Sequence, residues 1–209
     1  MKKLFFTLIA MAAAVTAFAQ FPKGLSVGAG YGSGNKTFKN DGFDDETIKM
    51  GGFYFGATYN LALGESGLGV APGLYLQIDK GDASDYLAPG AKLDLKETSL
   101  SIPVFVNYSI PVADILKVTP FVGPTFMYNF TSKLVAEDDE INMYKDDPAN
   151  GFESTYKHPN LFVGGGVALD IADIVRVSLG YDYGLLNRSS ADGSKILDNR
   201  LHFGVAYLF

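Results

Sequence analysis

From Leu25 onward apolar side chains alternate with small or polar ones, and a period of two is the mark of a strand whose faces meet different surroundings. The first such stretch sets Leu25, Val27, Ala29 and Tyr31 against Ser26, Gly28, Gly30 and Gly32. The second sets Phe53, Phe55, Ala57, Tyr59, Leu61 and Leu63 against Gly52, Tyr54, Gly56, Thr58, Asn60 and Ala62. The pattern returns over 68–79, 97–110, 118–131, 161–171 and 175–185. It ends over 199–209, where Leu201, Phe203, Val205, Tyr207 and Phe209 alternate with Arg200, His202, Gly204, Ala206 and Leu208.

Between these eight strands the chain loses its period. Residues 33–50, 80–94, 132–158 and 187–198 are rich in Gly, Asn, Asp and Lys and read as long polar loops. The other connections are short: Gly64-Glu65-Ser66-Gly67, the stretch from Pro111 to Leu116, and a turn near Asp173. Connections that alternate long and short around an even number of strands predict an all-β fold, an eight-stranded antiparallel up-and-down transmembrane β-barrel. An even strand count also leaves both termini on one side, expected to be the periplasm.

The choice of a bilayer rests on which face is apolar. The apolar faces are four to seven side chains long, whereas the facing rows are dominated by Gly, Ser, Ala and Thr. In hydrocarbon every backbone group must be paired, so strands can span only as a closed barrel. An eight-stranded barrel has room inside for little more than its own side chains. Tyr31, Phe53, Tyr128 and Phe130 fall toward the long loops and Tyr59, Tyr108, Tyr207 and Phe209 toward the short turns, the places of two interfacial girdles. Pro72, Pro103, Pro120 and Pro124 lie within strands and withhold ladder hydrogen bonds, so bulges or irregular pairing are expected there, above all over 120–124.

The N-terminus supports export. Met1-Lys2-Lys3, an apolar run from Leu4 to Val15 and Ala17-Phe18-Ala19 form the three parts of a signal peptide, so residues 1–19 are expected to be removed and 20–209 to form the barrel domain. Cleavage there leaves 15 basic residues of 17 against 23 acidic ones, a net charge of −8 that argues against nucleic acid as a partner. Without cysteine there is no disulfide, thiolate metal site or lipid-modified cysteine.

A strand that stops on an aromatic with another two residues earlier resembles the C-terminal signal of bacterial outer-membrane β-barrels. Leu201, Phe203, Val205, Tyr207 and Phe209 match it position by position. The resemblance implies recognition by the barrel-assembly machinery. Leu100-Ser101-Ile102-Pro103-Val104 in the fourth strand and Pro120-Phe121-Val122-Gly123-Pro124 in the fifth resemble the PorT-like group of the "porin family" of outer-membrane barrels, and the strand plan is similar to OmpA and OmpX barrels. Such families include adhesion, defence and secretion-associated proteins, so the resemblance implies location more than role.

Alternation puts Glu97, Asp170, Arg176, Asp182, Arg200 and His202 on the inner face. Buried charges need partners, so these are expected to form an ion-pair network plugging the lumen, with Asp170 opposite Arg176 and Asp182 near His202. A narrow path for small solutes is the alternative. The two histidines, His158 at a loop edge and His202 inside, do not suit a lipid-facing Ser-His-acid set, so no enzyme is expected. The acidic segment 137–147 has no EF-hand spacing and reads as a solvated loop, and no cofactor is expected. The expected protein is a monomer in contact with outer-membrane lipid and lipopolysaccharide, acting structurally or through a protein partner at its external loops. A place in a secretion or assembly complex is a further alternative.

Overall fold

The computed structural model describes residues 22–84, 92–136, 140–146, 148, 151, 153–154 and 156–209. The expected signal peptide, and Glu137, Asp138, Asp139 and Asp147 of the acidic segment, lie outside the described residues. Eleven strands are formed among the described residues: β1 (Leu25–Asn40), β2 (Glu46–Tyr59), β3 (Leu61–Ala62), β4 (Leu68–Asp82), β5 (Asp94–Tyr108), β6 (Ile110–Ala113), β7 (Leu116–Val135), β8 (Glu140–Asn142), β9 (Pro159–Ile171), β10 (Val175–Gly184) and β11 (Ser194–Leu208). β3 and β6 are short continuations of β2 and β5, and β8 is a brief addition to β7. The remainder is a closed eight-stranded antiparallel barrel, with β1 pairing both β2 and β11.

Closure follows from the two-faced strands. With β1 paired to β11 from Ser26↔Leu208 to Asn40↔Ser194, the ring of eight main strands closes on itself, as lipid demands. Near the ends, the amide of Phe209 donates to the Leu25 carbonyl at 2.9 Å, so residue 22 and Phe209 lie at the same rim. This short-turn rim carries the connections after Tyr59, Tyr108 and Ile171; the opposite, long-loop rim carries the other four. The last short turn is the tightest. Ala172 and Asp173 both take left-handed backbone angles (φ 54° and 55°), the pairing that matches the twist of a two-residue hairpin.

The long connections are shorter than expected. Strands run on to Asn40, from Glu46, to Asp82, from Asp94, to Val135 and from Ser194, through stretches expected to be loop. The reason is that the barrel outgrows the apolar band. Beyond it the outer face turns polar, with Asn35, Thr37, Lys49 and Lys96, while Phe38, Ile48, Ala83, Leu95, Tyr156 and Ile196 pack inside as a small apolar core. Strand pairing continues but the polarity of its two faces is exchanged.

The prolines bring the irregular pairing expected of them but no bulge of their own: between β4 and β5 the ladder lapses over Gly73 and Leu74, beside Pro72 and Pro103. Pro120 and Pro124 keep their register with Val167 and Val163 on β9. Pairing lapses over Val104 and Phe105 between β5 and β7, beside Pro103 and Pro124, without a change of register. The register shift lies instead between Thr98 and Ser99, where β7 inserts Phe130 as an extra residue.

Candidate functional site

The lumen is the site on which the fold converges. Its walls are unequal: Tyr54, Tyr75, Phe105 and Phe121 project inward from β2, β4, β5 and β7, and glycines face them from β1, β9, β10 and β11. A side chain on Gly166 would come within 2.7 Å of the Phe121 ring, and one on Gly180 within 2.5 Å of the His202 ring. Phe121 and Phe105 pack at 4.9 Å between ring centres. The interior is thus filled by large groups on one half seated against bare backbone on the other.

Charged side chains cross this interior in three tiers. Nearest the short turns, Asp170 stands opposite Arg176 across the β9–β10 ladder, and the guanidinium grips the carboxylate with two hydrogen bonds of 2.6 and 2.7 Å. Thr119 donates to the same carboxylate at 3.1 Å. In the middle tier Asp182 stands opposite Arg200, which donates to it at 2.7 Å and also to Gln77. His202 points into the lumen with Nε2 3.6 Å from Asp182, too far for a hydrogen bond.

The third tier lies at the long-loop rim and has two cations and two carboxylates. Lys36 on β1 bridges Glu97 (3.1 Å) and Asp198 (2.8 Å). Arg188, in the connection between β10 and β11, turns inward and meets Asp198 at 3.0 Å and Glu97 at 3.6 Å. It is 1% exposed. Its other donors reach the Tyr144 hydroxyl (2.8 Å) and the Lys157 carbonyl (3.2 Å), and its plane lies 4.4 Å from the centre of the Tyr156 ring. Ser132 and Tyr156 donate to Glu97 at 2.9 and 3.1 Å, and Asn160 donates to Asp198 at 2.9 Å. Each charge therefore has an opposite charge and hydrogen bonds, the condition for tolerating ions away from water.

Aromatic side chains lock the loop over this tier. His158 donates from Nδ1 to the Asn129 carbonyl (2.7 Å) and is stacked between Tyr144 (3.7 Å, 16°) and Tyr128 (5.1 Å, 7°). Burial pushes the Tyr144 phenol up to about 12, against the pull of Arg188, and pushes Tyr156 well above its ordinary value. Burial works against the charge on Arg188, but Tyr156, Glu97 and Asp198 outweigh it and hold the guanidinium well above its ordinary value.

Between the lower and middle tiers is a cavity of about 120 Å³, and between the middle and upper tiers one of about 40 Å³. Ser101, Thr125, Asp182, Arg200 and His202 line the larger space, and each has a buried side-chain polar atom without a hydrogen-bond partner among the described residues. Glu97, Asp170, Arg176, Asp182, Arg200 and His202 thus all have their side chains inside, but in three separate groups. Lys36, Arg188 and Asp198, which complete the upper group, lie in stretches whose sequence has the look of polar loops. Of the terminal set, Leu201, Phe203, Val205 and Tyr207 face outward with 39–51% exposure, and Tyr207 packs edge-on against Phe209 at 4.8 Å.

The family described as outer membrane protein beta-barrel domain matches residues 4–209. The chain belongs to that family. Membership makes the exposed apolar rows a lipid-facing band and places the protein in the outer membrane as a multi-pass barrel. Among solved structures, the chain is similar to Neisserial surface protein A, at 16% identity over 89% of this chain and 97% of that one, with a TM-score of 0.50. It is similar also to Ail, the attachment invasion locus protein of Yersinia pestis, at 14% identity over 90% and 100% with a TM-score of 0.44. The outer membrane enzyme PagL aligns at 10% identity over 83% and 97% with a TM-score of 0.44. These likenesses speak to the fold alone. No curated protein matches the chain.

Proposed function

We propose that this barrel does not conduct, and that it serves the outer membrane as a structural or interaction protein whose long-loop rim is the contact surface. Arg188 carries the reading. A loop residue drawn into the lumen and held by Asp198, Glu97 and Tyr144 closes the wide rim with matched charges, and below it lie two more tiers of side chains. Under this reading both termini are periplasmic and the long loops external, the protein is a monomer, and it is non-catalytic. Its surroundings are outer-membrane lipid and lipopolysaccharide, and its C-terminal strand is read by the barrel-assembly machinery.

Planar-bilayer recording tests it. Closed membranes after insertion of the purified chain support a sealed lumen; a reproducible open channel overturns it and favours a narrow pore. Because the chain has no cysteine, single cysteines placed in the long loops can be labelled on whole cells with an impermeant maleimide. Labelling supports external loops, and protection of all four overturns that orientation.

A second reading follows from the PorT-like resemblance of residues 100–104 and 120–124, which is consistent with a subunit of a secretion or assembly complex. Crosslinking from both rims in cells would capture a stoichiometric partner in that case.

A further inference from the structure

Three lysines stand in one cross-strand row on the outside of the barrel: Lys80 on β4 is directly opposite Lys96 on β5, and Lys96 is directly opposite Lys133 on β7. The same ladder row continues through Gly51, Ser33 and Leu201, all uncharged. The positive charge is therefore a patch on three strands and not a girdle. Like charges set opposite one another cost stability, and here the arrangement is made twice over in a chain of negative net charge.

The patch sits at the edge of the lipid-facing band. One outward step toward the short turns is the row Ile78, Thr98 and Thr131, with Phe53 beside Ile78, and Tyr128 and Phe130 lie close by. Phe53, Ile78, Tyr128 and Phe130 are all strongly exposed, as the interfacial aromatics and acyl contacts of the band should be. One step toward the loops are Asp82 and Asp94. Asp94 pairs with Lys80 at 2.9 Å and Glu140 with Lys133 at 2.5 Å, each acid approaching from the loop side. Lys96, between the two, is exposed and has no acidic partner among the described residues. Neighbouring strands are about 4.8 Å apart, so the three ammonium groups span about 10 Å just beyond the hydrocarbon boundary.

We infer that Lys80, Lys96 and Lys133 bind the phosphate groups of a phosphorylated lipid headgroup in the leaflet around the long-loop rim. The assignment of that leaflet as the outer one, with a phosphorylated glycolipid as the lipid, rests on the orientation proposed above. Phosphate offers several strong acceptors to three separate point charges, which relieves their mutual repulsion, and the acyl chains of the same molecule would lie along Ile78, Phe53 and Tyr128. A headgroup fits better than a free anion because the row borders the apolar band.

The test uses the full mature chain in zwitterionic detergent micelles, titrated with lipid A, with its dephosphorylated form and with inorganic phosphate. Bound lipid is read by native mass spectrometry and stability by the temperature of the gel-mobility change. Lipid A is expected to bind and to raise that temperature, and the dephosphorylated form to do neither. Lys96→Gln should weaken binding about fivefold, as expected for one lysine near an anionic surface. The triple change of Lys80, Lys96 and Lys133 to Gln should erase the difference between the two lipids, and the triple change to Arg should retain it. Equal binding of the two lipids, or an unaltered Gln triple, overturns the proposal. Protection by inorganic phosphate equal to that by lipid A overturns the lipid assignment. A micelle titration is indifferent to orientation, so failure of the external-loop reading shows in cysteine labelling and failure of this site shows here.

Discussion

Arg188 lies 3.0 Å from Asp198, joining a loop to the strand that follows it, and between them the upper tier is held shut. Truncating Arg188 to Ala leaves Glu97 and Asp198 buried with only Lys36 between them. The expected cost is about 3–5 kcal/mol, the range for stripping one partner from a buried ion cluster. It is read as the shift in urea midpoint of the folded band in detergent. Arg188→Lys should recover little, because one ammonium cannot reach Asp198, Tyr144 and the Lys157 carbonyl together. Combining Arg188→Ala with Asp198→Asn restores charge balance, so the pair should cost less than the sum of its parts. Strict additivity would show that the two do not act on each other.

The bilayer-spanning part of this architecture was legible because one rule holds there: apolar out, small or polar in. Glu97, Asp170, Arg176, Asp182, Arg200 and His202 could be placed inside by that rule alone. Above the band the rule reverses while the strands continue in phase, so that Tyr31 faces out and Phe38 faces in on the same strand. A reader following apolar residues loses the period at that point and sees a loop. Phe38 with Lys36, Ile48 with Met50, Leu93 with Leu95 and Ile196 with Asp198 were the available signals, each a two-residue spacing in a polar stretch. Arg188 left no such trace, because its burial depends on where a connection folds and not on alternation.

Filling the lumen by aromatic against glycine makes a size prediction. Gly166→Ala places a methyl group 2.1 Å from the Leu179 carbonyl oxygen, 2.6 Å from the Gly180 backbone and 2.7 Å from the Phe121 ring. The expected loss is about 1–3 kcal/mol, as for overpacking elsewhere. Part of it should return in the double variant with Phe121→Leu, because the smaller side chain vacates the space. If the double variant is as unstable as the two losses added, the ring is not what the methyl group meets.

The turn after β9 can be improved. Ala172 holds φ 54° without the local hydrogen bonding that lets Asp or Asn tolerate that region, whereas Asp173 is held by Lys117 at 2.5 Å. Ala172→Gly should therefore stabilise the barrel by about 1 kcal/mol, the strain of a left-handed non-glycine residue less the entropy gained by the unfolded chain. Ala172→Val should destabilise it, since branching at Cβ is least compatible with positive φ. Urea titration of both variants checks the order; a Val variant as stable as the Gly one would remove the argument.

Alkaline pH should open the upper rim before it unfolds the barrel. Burial raises the Tyr144 phenol from an ordinary value near 10 to about 12, so in the folded rim it keeps a proton that an opened rim would release. A raised value means that its contribution to rim closure is complete below pH 10 and is lost as the pH climbs toward 12. Arg188 stays charged throughout, since a guanidinium does not deprotonate in proteins. Burial also raises Tyr156, which donates to Glu97, well above its ordinary value. Ultraviolet absorbance should show tyrosinate still forming as the pH approaches 12, the range in which protease sites beside Arg188 become cleavable. Tyr144→Phe should remove one tyrosinate from that range and shift the onset of cleavage upward, because no proton is left there to lose. An onset unchanged in Tyr144→Phe would mean that the rim opens for a reason other than this phenol.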